Sequence, residues 1–181
     1  MSREIIYTGR KIKVAIDTTL GRDGQLVRRD VVIHPGAVAI LPLLDGGRVC
    51  LLRNQRPNVG ETLWEIPAGT LEPDEPIESA AVRELAEETG YQAGRIEKVA
   101  EFFPSPGVLS EKTHLFVARN LTPGTMHPEA GEQLEPQIVP WTQALAWTMD
   151  GTIRDAKTLV ALLWWERRAG RVNAPVEASG P

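Results

Sequence analysis

The chain has a single cysteine in 181 residues, no long apolar run and no excess of positive charge. Each shortage excludes something. One thiol cannot form a disulfide within a chain, and Cys50 sits in the apolar run Val49–Leu52, so a buried structural thiol is expected rather than a nucleophile. A reducing cytoplasm suits such a chain. No segment approaches the ~20 apolar residues that a membrane-spanning helix requires. Residues Met1 to Glu4 lead into no apolar region of the kind a secretory signal carries, so none is expected. A formal net charge of −4 argues against an electrostatic nucleic-acid binder. The pairs Arg28–Arg29 and Arg167–Arg168 could form only local basic patches. No internal repeat and no low-complexity block interrupts the chain.

What remains is a chain long enough for one domain with a sizeable core. Apolar content of 42% with 24% charged residues is that of a globular protein. The first third reads as β. Lys11–Asp17 and Leu26–Ile33 flank a turn at Gly21–Gly24 and predict an N-terminal hairpin. Ala37–Leu44 and Val49–Leu52 flank Asp45–Gly47 and predict a second hairpin. Leu63–Ile66 predicts a short strand. Further strands are expected at Ile96–Phe103 and His114–Arg119, and at Leu134–Trp141, where Pro136 and Pro140 confine the strand to an edge or a bulge.

Helices are expected from about Asp74–Pro76 to Gly90, at Thr142–Asp150, and from a cap at Asp155 through Ala156–Arg168 to a stop at Gly170. Trp164 and Trp165 are expected in the core or in a dimer contact. Strands with helices packed against them predict an α/β (α+β) sandwich.

The segment from Gly69 to Tyr91 concentrates the chemistry. Glu84, Glu87 and Glu88 fall within little more than one helical turn, behind Arg83 and ahead of Gly90. At three- and four-residue spacing, each like-charge pair costs a helix on the order of 0.2–0.5 kcal/mol. A hard divalent cation, Mg²⁺ or Mn²⁺, is the simplest compensation for such oxygen ligands. At about 100° per residue, Glu84 and Glu88 lie roughly 40° apart, with Glu87 about 60° to one side of Glu84. Ile77, Ala80, Ala81 and Leu85 share that half of the wheel. The carboxylates therefore sit in or beside the apolar stripe, which argues against a merely solvated acidic face. Arg83 points elsewhere and could brace a carboxylate from the side.

Gly69, Glu75, Arg83, Glu84, Leu85, Glu87, Glu88, Gly90 and Tyr91 together resemble the Nudix box, G-x5-E-x7-R-E-U-x-E-E-x-G-U, with U a bulky apolar residue. Tyr91 departs mildly from the usual aliphatic residue. A match of this length is specific. It implies a central mixed sheet between helices and a metal-dependent hydrolase of a nucleoside diphosphate linked to another group. Pro106, sixteen residues beyond Gly90, resembles the proline that marks the ADP-ribose pyrophosphatases of the family.

The resemblance implies further roles. Ser105, Gly107 and Glu111 would meet the terminal ribose, Glu111 by accepting hydrogen bonds from its hydroxyls. Arg56, in a stretch similar to the family's Q-[YR]-R segment, would grip phosphate. Arg29 resembles an arginine that reaches across a dimer to the nucleotide, and a homodimer is implied. Glu84 and Glu88 would hold the cation, with Glu87 in support and the carbonyl of Ala68 as a further ligand. The general base is implied to be a glutamate of the loop 126–135, with Glu132 chosen over Glu129 and Glu135.

The implied division is an N-terminal β element at 1–35, swapped between subunits, a catalytic domain at 36–170 and a disordered tail at 171–181. The implied reaction is hydrolysis of ADP-ribose to AMP and ribose 5-phosphate. Another nucleoside diphosphate sugar, such as ADP-glucose or GDP-mannose, is the nearest alternative. A non-catalytic nucleotide sensor is a third, disfavoured because every box carboxylate is kept.

Overall fold

A computed structural model describes residues 1–172. The alternating pattern near the N-terminus does form strands. β1 (Ser2–Thr8), β2 (Lys13–Leu20) and β3 (Leu26–Ile33) make a three-stranded antiparallel sheet. The predicted hairpin is β2–β3. β1 was not expected: all its residues are exposed, so it lacks the apolar alternation that marks a half-buried strand.

The remaining strands form one mixed sheet among the described residues. They are β4 (Ala37–Leu44), β5 (Arg48–Arg56), β6 (Glu61–Glu65), β7 (Ala68–Thr70), β8 (Tyr91–Phe102), β9 (Thr113–Pro123) and β10 (Leu134–Pro140). Their main path runs β10-β5-β4-β9-β8, with β6 paired to β5 and β7 to β4. β4 and β9 are parallel, and the other pairs are antiparallel. β10 takes the sheet edge, where its prolines remove no needed ladder donor. Gly46 and Gly47 supply the positive φ values (73° and 66°) that close the β4–β5 turn.

Period-two alternation in the central strands divides the core. Val38, Ile40, Phe116 and Ala118 pack with Ala80, Ala81 and Leu85 of helix α1 (Ile77–Thr89). Their neighbours Ala39, Leu41, Leu115 and Val117 face the other way. They pack with Ala144 of α2 (Trp141–Met149) and with Ala161 and Leu162 of α3 (Ala156–Val172). The result is the expected sandwich of helix, mixed sheet and helices. Cys50 is fully buried, and burial pushes its thiol up to about 12, which makes it inert at neutral pH.

Gly90 ends α1 with φ 73°, donating its N–H to the Ala86 carbonyl. Asp155 caps α3: its Oδ2 accepts from the Thr158 N–H at 2.9 Å and from the Thr158 hydroxyl at 2.6 Å. One expectation fails here. α3 does not stop at Gly170 but runs on to Val172. Glycine lowers helix propensity without forbidding the conformation, and nothing crowds this one. Trp165 packs at the margin of the α2/α3 core with the Arg119 guanidinium 4.6 Å above its ring. Apart from Arg171 and Val172, which continue the helix, the predicted tail at 171–181 lies outside the described residues.

Candidate active site

α1 presents its acids inward. Glu84 and Glu88 are 8% and 3% exposed, buried on the face shared with Ala80, Ala81 and Leu85. The short strand β7 crosses this face. The Glu88 carboxylate accepts a hydrogen bond from the Ala68 N–H at 2.9 Å. Gly69 lies so close to Glu84 that a Cβ there would overlap the carboxylate. Glycine is therefore required at 69 by space, not by backbone angle.

Arg83 gathers the acids of the segment. Its Nε and Nη2 grip the two oxygens of Glu75 at 2.9 and 3.0 Å. Its Nη1 donates to Glu84 at 2.8 Å and to Glu87 at 3.0 Å. These bonds, led by those to Glu75, raise its pKa further above an already high value. Burial pushes Glu84 above the usual carboxylate range, against the opposing pull of Arg83. Glu88 has no such cation in contact. Burial pushes it up to about 8, despite the Ala68 bond, and the charges of Glu84 and Glu132 add to the shift. Two buried carboxylates one turn apart, with one guanidinium between them and the Glu75 and Glu87 carboxylates, form an oxygen-rich set short of positive charge. That chemistry fits a hard divalent cation. Among the described residues, no three His, Cys, Asp or Glu side chains converge in a ready-made metal cage.

These residues edge a cavity of about 900 Å³. Ala68, Gly69, Arg83 and Glu84 line it. Glu88 lies beneath the β7 backbone rather than on the cavity wall, and Glu87 also falls outside the lining. Arg56, at the end of β5, lines the same cavity. Its Nε and Nη2 donate to Glu65 at 2.8 and 2.6 Å. Glu65 is 1% exposed. Burial pushes its carboxyl upward, but the Arg56 bonds and the Lys157 charge outweigh that and leave it below its ordinary value. Lys157 of α3 donates to the same carboxylate at 2.7 Å and also lines the cavity.

The loop 124–133 packs across the end of α1. The His127 N–H bonds the Glu87 carbonyl at 2.9 Å, and Gly90 lies where a Cβ would press on Gly124 and Met126. This route brings Glu129 and Glu132 to the cavity. The Glu132 carboxylate accepts from the Glu129 N–H at 3.0 Å. Glu135 is not part of the lining; it belongs to β10, in register with Arg53, and bonds Gln137.

Glu111 lines the cavity, accepting from the Thr113 hydroxyl at 2.9 Å. Ser105 and Gly107 do not reach it. The Ser105 carbonyl closes a turn onto Val108 and Leu109, and a Cβ on Gly107 would meet open space. Arg29 also stays away: it is exposed on β3 and donates to the Thr19 hydroxyl at 2.6 Å.

Two participants were missed from sequence. Glu65 left a signal, a carboxylate within the apolar strand Leu63–Ile66. Lys157 left none, because 92 residues separate it from Glu65.

Comparison with known proteins gives the family and the fold. Residues 33–161 match the model of the NUDIX domain. The ADP-ribose pyrophosphatase of Bacillus subtilis (strain 168) is 35% identical over 164 residues, 90% of this chain and 89% of that protein. The GDP-mannose pyrophosphatase of Klebsiella pneumoniae is 36% identical over 155 residues, covering 77% of this chain and 76% of its own. A crystal structure described as an ADP compounds hydrolase superposes with a TM-score of 0.81 at 22% identity, covering 96% of this chain and 94% of its own, and so shares the fold. With Glu84, Glu87 and Glu88 of the box on one helix at the edge of a cavity, and with relatives this similar over most of its length, the chain belongs to the Nudix family.

Proposed function

We propose that this protein hydrolyses the diphosphate bond of ADP-ribose, giving AMP and ribose 5-phosphate, with Mg²⁺ or Mn²⁺ as the cation. The observation that carries the reading is the cavity itself: the box residues Gly69, Glu75, Arg83 and Glu84 and the clamped cation Arg56 line one cavity of about 900 Å³. The 35% identity to an ADP-ribose pyrophosphatase over nearly the whole chain supports the substrate.

Glu84, Glu88 and the Ala68 carbonyl, with Glu87 in support, would hold the cation, which when bound would neutralise the diphosphate and acidify the attacking water. Arg83 fixes Glu84 and Glu87 in place. Arg56 presents its free guanidinium edge to a phosphoryl group, since Glu65 engages only Nε and one proton of Nη2. Glu132, on the loop that reaches the cavity, takes the proton of the attacking water. The water oxygen bonds to phosphorus as the bridging oxygen leaves with the other product. Glu111, on the cavity wall, accepts from the ribose hydroxyls.

Arg29 reaches no part of the cavity in its own chain, so its role requires a partner subunit. The exposed apolar side chains Ile5, Ile6, Tyr7, Leu20 and Leu26 of the N-terminal sheet support a homodimer that covers them. No helix among the described residues is long and apolar enough to cross a membrane. The single buried thiol supports a cytoplasmic setting.

Incubation with ADP-ribose, ADP-glucose and GDP-mannose in Mg²⁺, with AMP and GMP quantified, tests the proposal. ADP-ribose should be turned over fastest. Preference for GDP-mannose would favour the second reading, which the 36% identical relative supports. Turnover of none with any divalent metal would favour a sensor.

A further inference from the structure

We infer that Lys157 is a substrate-contacting residue, a second fixed cation that grips the diphosphate beside Arg56. The inference rests on the diphosphate reading of the cavity given above.

Four observations support it. First, Lys157 lines the cavity although it lies on α3, far in sequence from the box. Second, its ammonium is held in place: Glu65 accepts at 2.7 Å and Asp155 at 2.8 Å. An ammonium has three protons, so one remains for a ligand. Third, α3 is anchored at this very turn. Thr158, fully buried, accepts the Ile66 N–H at 2.9 Å while Asp155 caps the helix. Holding a lysine rigid costs side-chain entropy, and this scaffold has already imposed that cost before a ligand arrives.

Fourth, Glu65 has a cation in contact besides Lys157. Arg56 already bonds both Glu65 oxygens. The lysine is thus a second cation on an acid that has one, and Arg56, Lys157, Glu65 and Asp155 sum to zero charge. A diphosphate brings two further negative groups to this wall. The guanidinium fork suits one phosphoryl group and the lysine point charge suits the other.

The rival role is a brace that only ties α3 to Glu65, with Arg56 kept in place by its own bonds to both Glu65 oxygens. Steady-state kinetics of Lys157→Met and Lys157→Arg on ADP-ribose with Mg²⁺ separate the two. Calorimetry with a methylene-bridged ADP-ribose analogue gives the affinity directly. A substrate contact predicts that Lys157→Met raises KM and weakens the analogue at least about tenfold, the loss expected for one charge-assisted hydrogen bond. It predicts a smaller change in kcat and substantial recovery in Lys157→Arg. A brace predicts KM and analogue affinity within about twofold of wild type, with a lowered Tm, and that result overturns the inference.

Lys157→Gln keeps a donor for Glu65 and serves where the Met variant does not fold. If wild type hydrolyses no nucleotide sugar, the functional proposal fails on its own. The inference then stands if the analogue binds in a Lys157-dependent way, and falls if it binds independently of Lys157 or not at all.

Discussion

Replacing Gly69 by alanine should damage the site far more than the fold. A Cβ at 69 would fall on the carboxylate carbon and both oxygens of Glu84. Backbone angle is not the obstacle, because φ at this residue is not positive. Something must therefore move, and the carboxylate end of Glu84 is the softest candidate. It is not free: it is 8% exposed and bonded to Arg83 at 2.8 Å. Crowding a packed site costs about 1–3 kcal/mol. At about 2–4 °C per kcal/mol for a chain of this size, Tm should fall by roughly 2–12 °C. The catalytic loss should be larger, because the displaced group is the proposed metal ligand. A hundredfold fall in kcat, about 2.7 kcal/mol in the barrier, is the minimum expected. Differential scanning calorimetry and ADP-ribose turnover of Gly69→Ala measure both. A folded variant with near-normal kcat and metal affinity would show that Glu84 does not need the position it holds.

Two further outcomes follow from the same structure. Burial pushes Glu88 from an ordinary 4.5 up to about 8, so between those values the folded protein keeps a proton that the unfolded chain releases. Metal-free protein should therefore lose stability as pH rises from about 4.5, with the loss complete above about 8. The upper bound is roughly 5 kcal/mol at about 1.4 kcal/mol per pH unit. Glu88→Gln should remove this part of the slope, and melts in chelator at pH 5, 7 and 9 for both proteins check it; parallel pH profiles would contradict it. Gly170 lies inside α3 with open space where a Cβ would project, so Gly170→Ala should stabilise the protein by up to about 1 kcal/mol and raise Tm by about 2–4 °C. An unchanged or lower Tm would mean that the helix ends where the sequence pattern predicts.

Local chemistry was legible in the sequence where it acts over short distances. The 3.6-residue period placed Glu84 and Glu88 on the buried face of α1, and Gly90 marked its end. Pro136 and Pro140 placed β10 at the edge of its sheet. What escaped lacks a local signature. β1 is exposed throughout and held by pairing with β2, and β7 is only three residues long. The Glu65 clamp joins β5, β6 and α3, and no spacing rule connects Arg56 to Lys157. Arg83 was expected to brace a carboxylate, but its bidentate grip on Glu75 depends on the path of the loop before the helix. Ser105, Gly107 and Arg29, assigned by resemblance, lie outside the cavity of a single chain.

The central claim is that the buried acids of α1 exist to hold a divalent ion against a diphosphate. Calorimetric titration of Mn²⁺ into protein bearing the methylene-bridged ADP-ribose analogue tests it most directly, with wild type beside Glu84→Gln and Glu88→Gln. The account predicts binding to wild type and at least a tenfold loss in each folded variant. Equal Mn²⁺ affinity in all three proteins would contradict it.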